Sequence, residues 1–344
     1  MSSSETALSV VLPIRNEALH IEATLSQLLE QSLEPERFEV LVVDGESDDN
    51  TPVLVQRFIQ AHPSHQIRLL TNPIRLSSGA RNLGAREAKG DYILIVDGHV
   101  ELPSQTLLED CLEQCLQHQA RCLGRPQPLN PTANSDFQNL VYHARQSRLA
   151  HSNESHIFSE QSQWVSPISV AVMYHKSVFA EVGSFDEAFD AAEDLEFNYR
   201  LEKAGIQCLI SPKFAVKYYP RSTFAGLFKQ LQRYGRGRAK FVVKHPERFR
   251  PELVVPALAV CGVIGAVLLI ALGGSLRWLG YAGLGGYFGV LVGDTLLRGL
   301  SGLPGSAIYT VPALIATVHM GLGTGFMLGL FETLRRRGSK DPAG

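Results

Sequence analysis

The stretch Asp91–His99 reads DYILIVDGH. Tyr92, Ile93, Leu94, Ile95 and Val96 form an unbroken apolar run, and Asp97, Gly98 and His99 follow it. Such a run, bounded by polar residues, predicts a strand buried on both faces, as in a parallel sheet. Parallel α/β sheets bind ligands in the crevice beyond the carboxyl ends of their strands. Asp97 and His99 are therefore expected at the mouth of that crevice, with Gly98 letting backbone approach a ligand closely. An acid and an imidazole two residues apart can share one divalent cation, and a cation there would hold phosphates. A plain polar turn at a strand end is the competing explanation.

Upstream of this run the pattern repeats. Leu8–Leu12 is a short apolar stretch expected as the first strand, ended by Pro13, with Asn16 or Glu17 opening a helix. Ile21, Leu25, Leu28 and Leu29 fall at helical spacing after it. Phe38–Val43 is the second strand; Asp44 to Thr51 are turn formers leading into a helix through Val53–Ile59. Ile67–Leu70 is a third strand, and Ser77–Ala88 reads as a helix with Arg81 and Asn82 in its first turns. Four strands alternating with three helices imply parallel pairing through right-handed crossovers. Acids then follow strand after strand: Glu17, Asp44 and Asp97. Each alone reads as a cap or turn residue, but three at one sheet edge point to nucleotide binding. No Gly-x-Gly-x-x-Gly follows the first strand and no Gly-Lys-Ser/Thr loop is present, so the usual dinucleotide and phosphate-loop fingerprints are absent.

Further on come Val182 to Glu187 (VGSFDE), then Glu193 and Asp194 at the start of a helix carrying Leu195, Tyr199 and Leu201. Carboxylates in a first helical turn are favoured by the macrodipole. The sharper reading is a general base that takes a proton from an attacking hydroxyl.

Averages over the 344 residues hide two regimes. Net charge is −2 and hydrophobic residues make up 45%, so whole-chain electrostatics do not point to nucleic acid. Residues 1–250 have the mix of a soluble enzyme, whereas 253–331 are almost without charge. Between them, residues 217–250 hold ten Lys or Arg against the single acid Glu247, with Phe224, Leu227, Phe228 and Leu231 at helical spacing. A basic helix with an aromatic face suits an anionic membrane surface. Leu253–Leu272, Trp278–Leu297 and Ala307–Phe331 are candidate membrane crossings, and Arg335, Arg336 and Arg337 follow as a cytoplasmic signature. Three full crossings from a cytoplasmic start would put those arginines outside, so the topology is left open. Gly283, Gly285, Gly286 and Gly289 are expected to allow tight helix contacts. The cysteines, Cys111, Cys115, Cys122, Cys208 and Cys261, form no Cys-x-x-Cys pair, which argues against zinc and against a disulfide framework. The N-terminus lacks a basic region and a long apolar stretch, so no cleavable signal peptide is expected.

Taken together, Pro13-x-x-Asn16-Glu17, Val42–Thr51 (VVDGESDDNT), Gly79–His99 (GARNLGAREAKGDYILIVDGH), the VGSFDE run with Glu193-Asp194, and Gln230-x-x-Arg233-Tyr234 resemble glycosyltransferase family 2. The resemblance covers about residues 8–240, and within the family it is nearest to the succinoglycan-type exopolysaccharide glucosyltransferases. It implies an α/β GT-A fold: a Rossmann-like mixed sheet flanked by helices, followed by a C-terminal transmembrane helical region. The implied division is 1–215 catalytic, 216–250 basic and interfacial, 251–334 transmembrane, and 335–344 a basic tail. The implied roles are nucleotide-sugar binding by Pro13, Arg15, Glu17, Asp44, Arg81, Asn82 and Asp97, and catalysis by Asp194 with Glu193 beside it. Gln230, Arg233 and Tyr234 would lie over the acceptor or diphosphate, and Asp97 and His99 would hold a divalent metal, Mn²⁺ or Mg²⁺.

The implied activity is inverting transfer of a sugar, glucose first, from a nucleoside-diphosphate sugar to a lipid-linked saccharide. Its setting would be the inner (plasma) membrane, multi-pass, with a cytoplasmic catalytic domain and no nucleic-acid partner. Two residues depart from the family pattern. His99 stands where the family has a second metal aspartate, and imidazole favours softer ions, so Mn²⁺ is expected to support activity better than Mg²⁺. Tyr234 stands where processive members have Trp. A processive polysaccharide synthase and a catalytically degenerate membrane-anchored binding protein are the alternatives.

Overall fold

The structure, a computed structural model, describes residues 6–98, 100–126, 135–150, 159, 161–216, 220–299 and 303–338. Two compact units make up the chain: residues 1–129 with 155–218, and residues 130–154 with 219–344.

The first unit is built on an eight-stranded sheet of order β3-β2-β1-β4-β7-β5-β8-β6. Its first half comprises β1 (Leu8–Ile14), β2 (Phe38–Asp44), β3 (Ile67–Thr71) and β4 (Tyr92–Ile95). All of these pair in parallel, through α1 (Ile21–Leu29), α2 (Thr51–Ala61) and α3 (Ser77–Glu87). The second half makes the sheet mixed. After α4 (Leu107–His118) come β5 (Cys122–Gly124), β6 (Gln163–Val165) and β7 (Ala171–His175). Then follow α6 (Lys176–Val182), α7 (Glu193–Lys203) and β8 (Cys208–Ile210). The strand β7 runs antiparallel to both β4 and β5.

Period-two alternation gives each strand two apolar faces. Leu8, Val10, Leu12 and Ile14 of β1 pack in one core with Leu25 and Leu28 of α1 and Leu108 and Leu112 of α4. Val11 of β1 and Ile93 of β4 face a second core with Ala80 of α3, Val178 of α6 and Phe197 of α7. Every residue of β4 is buried, as the DYILIV run predicts.

Local differences from the sequence reading have physical causes. Pro13 does not end the first strand: the β1–β2 ladder continues through Pro13 opposite Val43 and Ile14 opposite Asp44. Val11 bonds toward β4 and Ile14 toward Gly45, so the missing N–H of Pro13 faces the β4 side, where pairing stops at Val11–Ile95. Asn16 takes a left-handed conformation (φ 58°), and α1 starts only at Ile21.

The second unit is helical: α5 (Asp136–Arg145), α8 (Phe224–Lys244), α9 (Val255–Leu272), α10 (Leu276–Arg298) and α11 (Ala307–Gly338). Although α5 falls inside the expected 1–215 catalytic span, its Leu140, Val141 and Ala144 share a core with Leu291, Val311, Leu314 and Ile315. The capping box of Ser135 and Gln138 starts α5. Arg298 donates to the carbonyl of His143, and His319 hydrogen-bonds the carbonyl of Leu149, so this segment is tied to α10 and α11.

Among the described residues two helices are long and apolar enough to cross a membrane, Val255–Leu272 and Ala307–Arg335. The expected crossing at Trp278–Leu297 lies in α10, which falls short because six glycines, Asp294 and the flanking arginines dilute it. The tight helix contacts also fall elsewhere than expected. Gly285, Gly286 and Gly289 face open space, and Gly283 makes only ordinary contact. Close approach occurs on α11, where Gly321, Gly325 and Gly329 lie one turn apart against α8. A Cβ on Gly321 would sit 2.7 Å from Leu231 Cβ, and one on Gly329 2.7 Å from Arg236 Cα. The expected tail beyond 338 and the side chains of Arg336 and Arg337 lie outside the described residues, as does Lys217 of the basic run.

Candidate active site

The parallel half of the sheet brings the ends of β1, β2 and β4 to one edge. Asp44, the last residue of β2, is buried and accepts from the backbone N–H (3.1 Å) and the hydroxyl of Ser47. The loops after β1 and β2 are stitched together. Asn16 N–H donates to Ser47 Oγ, Glu17 N–H to Thr51 Oγ1, and Asp48 N–H to Asn16 Oδ1. Asp49 accepts from Thr51 and from Ala18 N–H, and the Thr51 hydroxyl bond leads in holding its carboxyl below the usual range. Pro13 is the next-to-last residue of β1, and Arg15 follows the strand, exposed beside Gly45.

Gly98 is required by the protein's own packing. A Cβ there would meet Ile14 Cγ2 at 2.8 Å and Glu17 Cγ at 3.2 Å, and its carbonyl accepts from Thr24 Oγ1. Glycine is needed because the chain after β4 passes close to the end of β1, which sets the Glu17 side chain against Gly98. His99, the expected second metal ligand, lies outside the described residues.

A second group of charges gathers where α3 meets α7. Ala192, in the left-handed region at φ 63°, turns the chain into α7, whose first two residues are Glu193 and Asp194. They divide sharply. Glu193 is buried and lies 3.5 Å from the Arg81 guanidinium, whereas Asp194 is exposed, with Oδ1 accepting from Leu195 N–H. Burial is the main cause that raises the Glu193 pKa; Arg81 opposes it and the charge of Asp194 adds to it. Burial alone would lower Arg81, but Glu193, Asp194 and Asp97 together outweigh it and the arginine is held firmly charged. One guanidinium therefore senses all three carboxylates. Arg81 also lies over the Phe185 ring at 5.5 Å, and Phe185 stacks on Phe197 of α7 at 4.2 Å.

Asn82 has a different surrounding from the one expected of a nucleotide contact. Its amide accepts from Phe185 N–H and donates to the carbonyl of Phe185 and to Glu187, so it clamps the VGSFDE loop onto α3. Gln230, Arg233 and Tyr234 belong to the second unit, on α8, where Gln230 donates to the Tyr234 hydroxyl at 3.1 Å. One charged group escaped the sequence reading. Arg125, directly after β5, is 5% exposed and lies 3.7 Å from Asp97. A lone arginine ending the apolar run CLG was the signal available.

Among the described residues no three His, Cys, Asp or Glu side chains could hold a metal by themselves. Asp97, with 45% of its side chain exposed, offers hard oxygens at the strand edge. That donor set fits a divalent ion that takes its remaining ligands from substrate phosphates.

Residues 9–183 match the model of glycosyl transferase family 2, and residues 106–328 that of glycosyl transferase family group 2. The chain is also 31% identical over 347 residues, 98% of its length and 99% of the relative's, to the succinoglycan biosynthesis protein ExoA of Rhizobium meliloti (strain 1021). This chain belongs to glycosyltransferase family 2. A further relative is the dolichyl N-acetyl-alpha-D-glucosaminyl phosphate 3-beta-D-2,3-diacetamido-2,3-dideoxy-beta-D-glucuronosyltransferase of Methanococcus voltae. It is 26% identical across 69% of this chain and 74% of its own. Among solved structures, the mannosyltransferase PcManGT of Pyrobaculum calidifontis, in complex with GDP-Man and Mn²⁺, superposes with a TM-score of 0.66 at 18% identity. That match covers 96% of this chain and 88% of the other. The family 2 transferase therefore has the GT-A fold, a mixed sheet with flanking helices and a helical C-terminal region.

Proposed function

We propose that this glycosyltransferase inverts the anomeric centre of a hexose, glucose first, as it moves it from a nucleoside-diphosphate sugar to a lipid-linked saccharide during cell-surface glycan assembly. The observation that carries this reading is the cluster around Arg81, a buried cation paired with Glu193 at 3.5 Å whose charge is also felt by the exposed carboxylate Asp194 and by Asp97. Asp194 is the general base: with Oδ1 occupied by Leu195 N–H, Oδ2 takes the proton of the acceptor hydroxyl as that oxygen attacks the sugar. A single displacement inverts the configuration and needs no covalent sugar–enzyme bond. Glu193 is the support, ion-paired with Arg81 and buried, so the acceptor meets Asp194 and not its neighbour.

Asp97, with His99, would hold Mn²⁺ or Mg²⁺ against the donor diphosphate. Such an ion, when bound, screens the charge that grows on the leaving group. Glu17 and Asp44, with Pro13 and Arg15, form the floor for base and ribose. Gln230, Arg233 and Tyr234 are assigned to the acceptor or the diphosphate.

Membrane association is supported by the apolar α9 and α11 and by the basic α8 that precedes them. The similarity to a succinoglycan biosynthesis protein over nearly the whole chain supports a part in exopolysaccharide assembly. The decisive experiment supplies labelled nucleotide sugars to membranes containing the protein and follows label into the lipid fraction. Asp194→Asn should cut transfer about 10²- to 10⁴-fold while nucleotide binding stays near normal. Undiminished transfer by that variant would remove Asp194 from the role.

A further inference from the structure

The geometry points to Arg125 as a positioning residue that fixes the Asp97 carboxylate for the donor diphosphate and its divalent ion. The inference rests on the reading of Asp97 given above and adds a residue to which neither family motif nor sequence pattern assigns a part.

The sheet explains why Arg125 reaches Asp97. The strands β4 and β5 both run antiparallel to β7, so they are parallel to each other with one strand between them. Leu94 and Leu123 both pair with Met173, so the two strands are level across β7. Asp97 is three residues beyond Leu94 and Arg125 two beyond Leu123, at the same edge. Strands two apart are separated by roughly 10 Å, a span that an extended arginine can bridge and a lysine ammonium cannot cover with a fork of donors. The Arg125 N–H donates to the carbonyl of Val170, just ahead of β7, which anchors its backbone. Its side chain passes over the start of β7 and brings Nη1 to 3.4 Å from the Ile95 carbonyl and Nη2 to 3.7 Å from Asp97 Oδ2.

This is a costly arrangement for stability alone. Only 5% of the side chain is exposed, and Nε is buried without a hydrogen-bond partner among the described residues. A buried guanidinium needs close partners to offset its lost hydration. Here the carbonyl is at the limit of hydrogen bonding and the carboxylate beyond it. Burial lowers the Arg125 pKa, and the nearby charge of Arg81 lowers it further against the pull of Asp97 and Cys111. The residue is thus held beside Asp97 with part of its bonding capacity, Nε above all, unused. Nη2 held near Oδ2 restricts rotation of the Asp97 carboxylate and leaves Oδ1 for a ligand. Positioning of this kind raises the affinity of a metal ligand about ten- to a hundredfold.

The test is the gain in nucleoside-diphosphate affinity that Mn²⁺ confers, read by calorimetry on the full chain in detergent with Mn²⁺ and again with EDTA. UDP, GDP, ADP, CDP and dTDP are tried, and the tightest is used. Arg125→Met should lower the Mn²⁺-dependent gain about tenfold while the EDTA affinity and the melting temperature hold, and Arg125→Lys should recover only part of it. Asp97→Asn should abolish the gain, and adding Arg125→Met to it should change nothing more. A gain kept by Arg125→Met but lost by Asp97→Asn overturns the role of Arg125 and leaves that of Asp97 standing. A gain kept by Asp97→Asn, or absent from the wild type, overturns both. Where Arg125→Met does not fold, Arg125→Lys carries the test, and an undiminished gain in it overturns the inference.

Discussion

The two units handle burial in opposite ways. The first closes its apolar side chains between sheet and helices and then buries charge: Glu39, Arg125 and Glu193 are each at most 5% exposed. The second leaves Leu258, Val267, Leu272, Trp278 and Leu297 more than half exposed and makes its closest contacts through glycine. In water, such a spread of open leucine and tryptophan would be a liability. Against lipid it costs nothing, and packing must then come from small residues that let backbones touch. The first unit is stabilised by excluding water from a large core, whereas the second combines a smaller buried core with close glycine contacts and leaves much apolar surface open. Substitutions should therefore hurt the two units for different reasons.

The sharpest break of this contrast is on α11. Gly325→Leu would push a side chain into the backbone of Gln232 on α8 and should lower stability by about 3 kcal/mol or more, read as a fall in melting temperature of the detergent-solubilised protein. The same change at Gly285, which faces open space, should shift that temperature little. Equal effects at both sites would mean that glycine spacing on α11 does not hold the second unit together.

A smaller effect is expected in the first unit from Asn82→Ala. It strips Phe185 N–H and C=O of their partner, and the loss should be about 1–3 kcal/mol by denaturant unfolding, with donor affinity changed only in proportion to the folded fraction. A large drop in nucleotide affinity at unchanged stability would mean that Asn82 acts on the donor directly.

The mildest test concerns pH. Glu193 has a folded pKa above its ordinary 4.5 because burial disfavours its charge. The folded state then holds this proton more tightly than the unfolded chain, so the stabilisation is complete below pH 4.5 and is lost as pH rises through the folded value. Glu193→Gln stays neutral throughout. The stability of the wild type relative to that variant should accordingly fall as pH is raised, and a rising difference would mean that the ion pair with Arg81 outweighs burial.

Much of this was legible before any coordinates. The parallel β1–β4 half follows from apolar runs and helical spacing, because both report which face of a local element meets the core. The acids at Glu17, Asp44 and Asp97 follow from it, since every parallel strand ends at the same edge. Neighbouring acids such as Glu193 and Asp194 were not separable in that way. A positive φ at Ala192 turns one inward and the other outward, and no local pattern encodes that turn.

The sequence by itself determined the family, the sheet edge that carries the acids, and the contrast between a charged first part and an apolar last part. Each is written in short-range periodicity and motif order. Tertiary structure alone decided that Arg125 lies beside Asp97, that Gly98 makes room for Glu17, and that the close-packed glycines are Gly321, Gly325 and Gly329 of α11 and Gly280 of α10 rather than Gly285, Gly286 and Gly289. These depend on register across a strand that arrives much later in the chain, or on which helix face meets a partner. A linear pattern holds no information on either until the elements have docked.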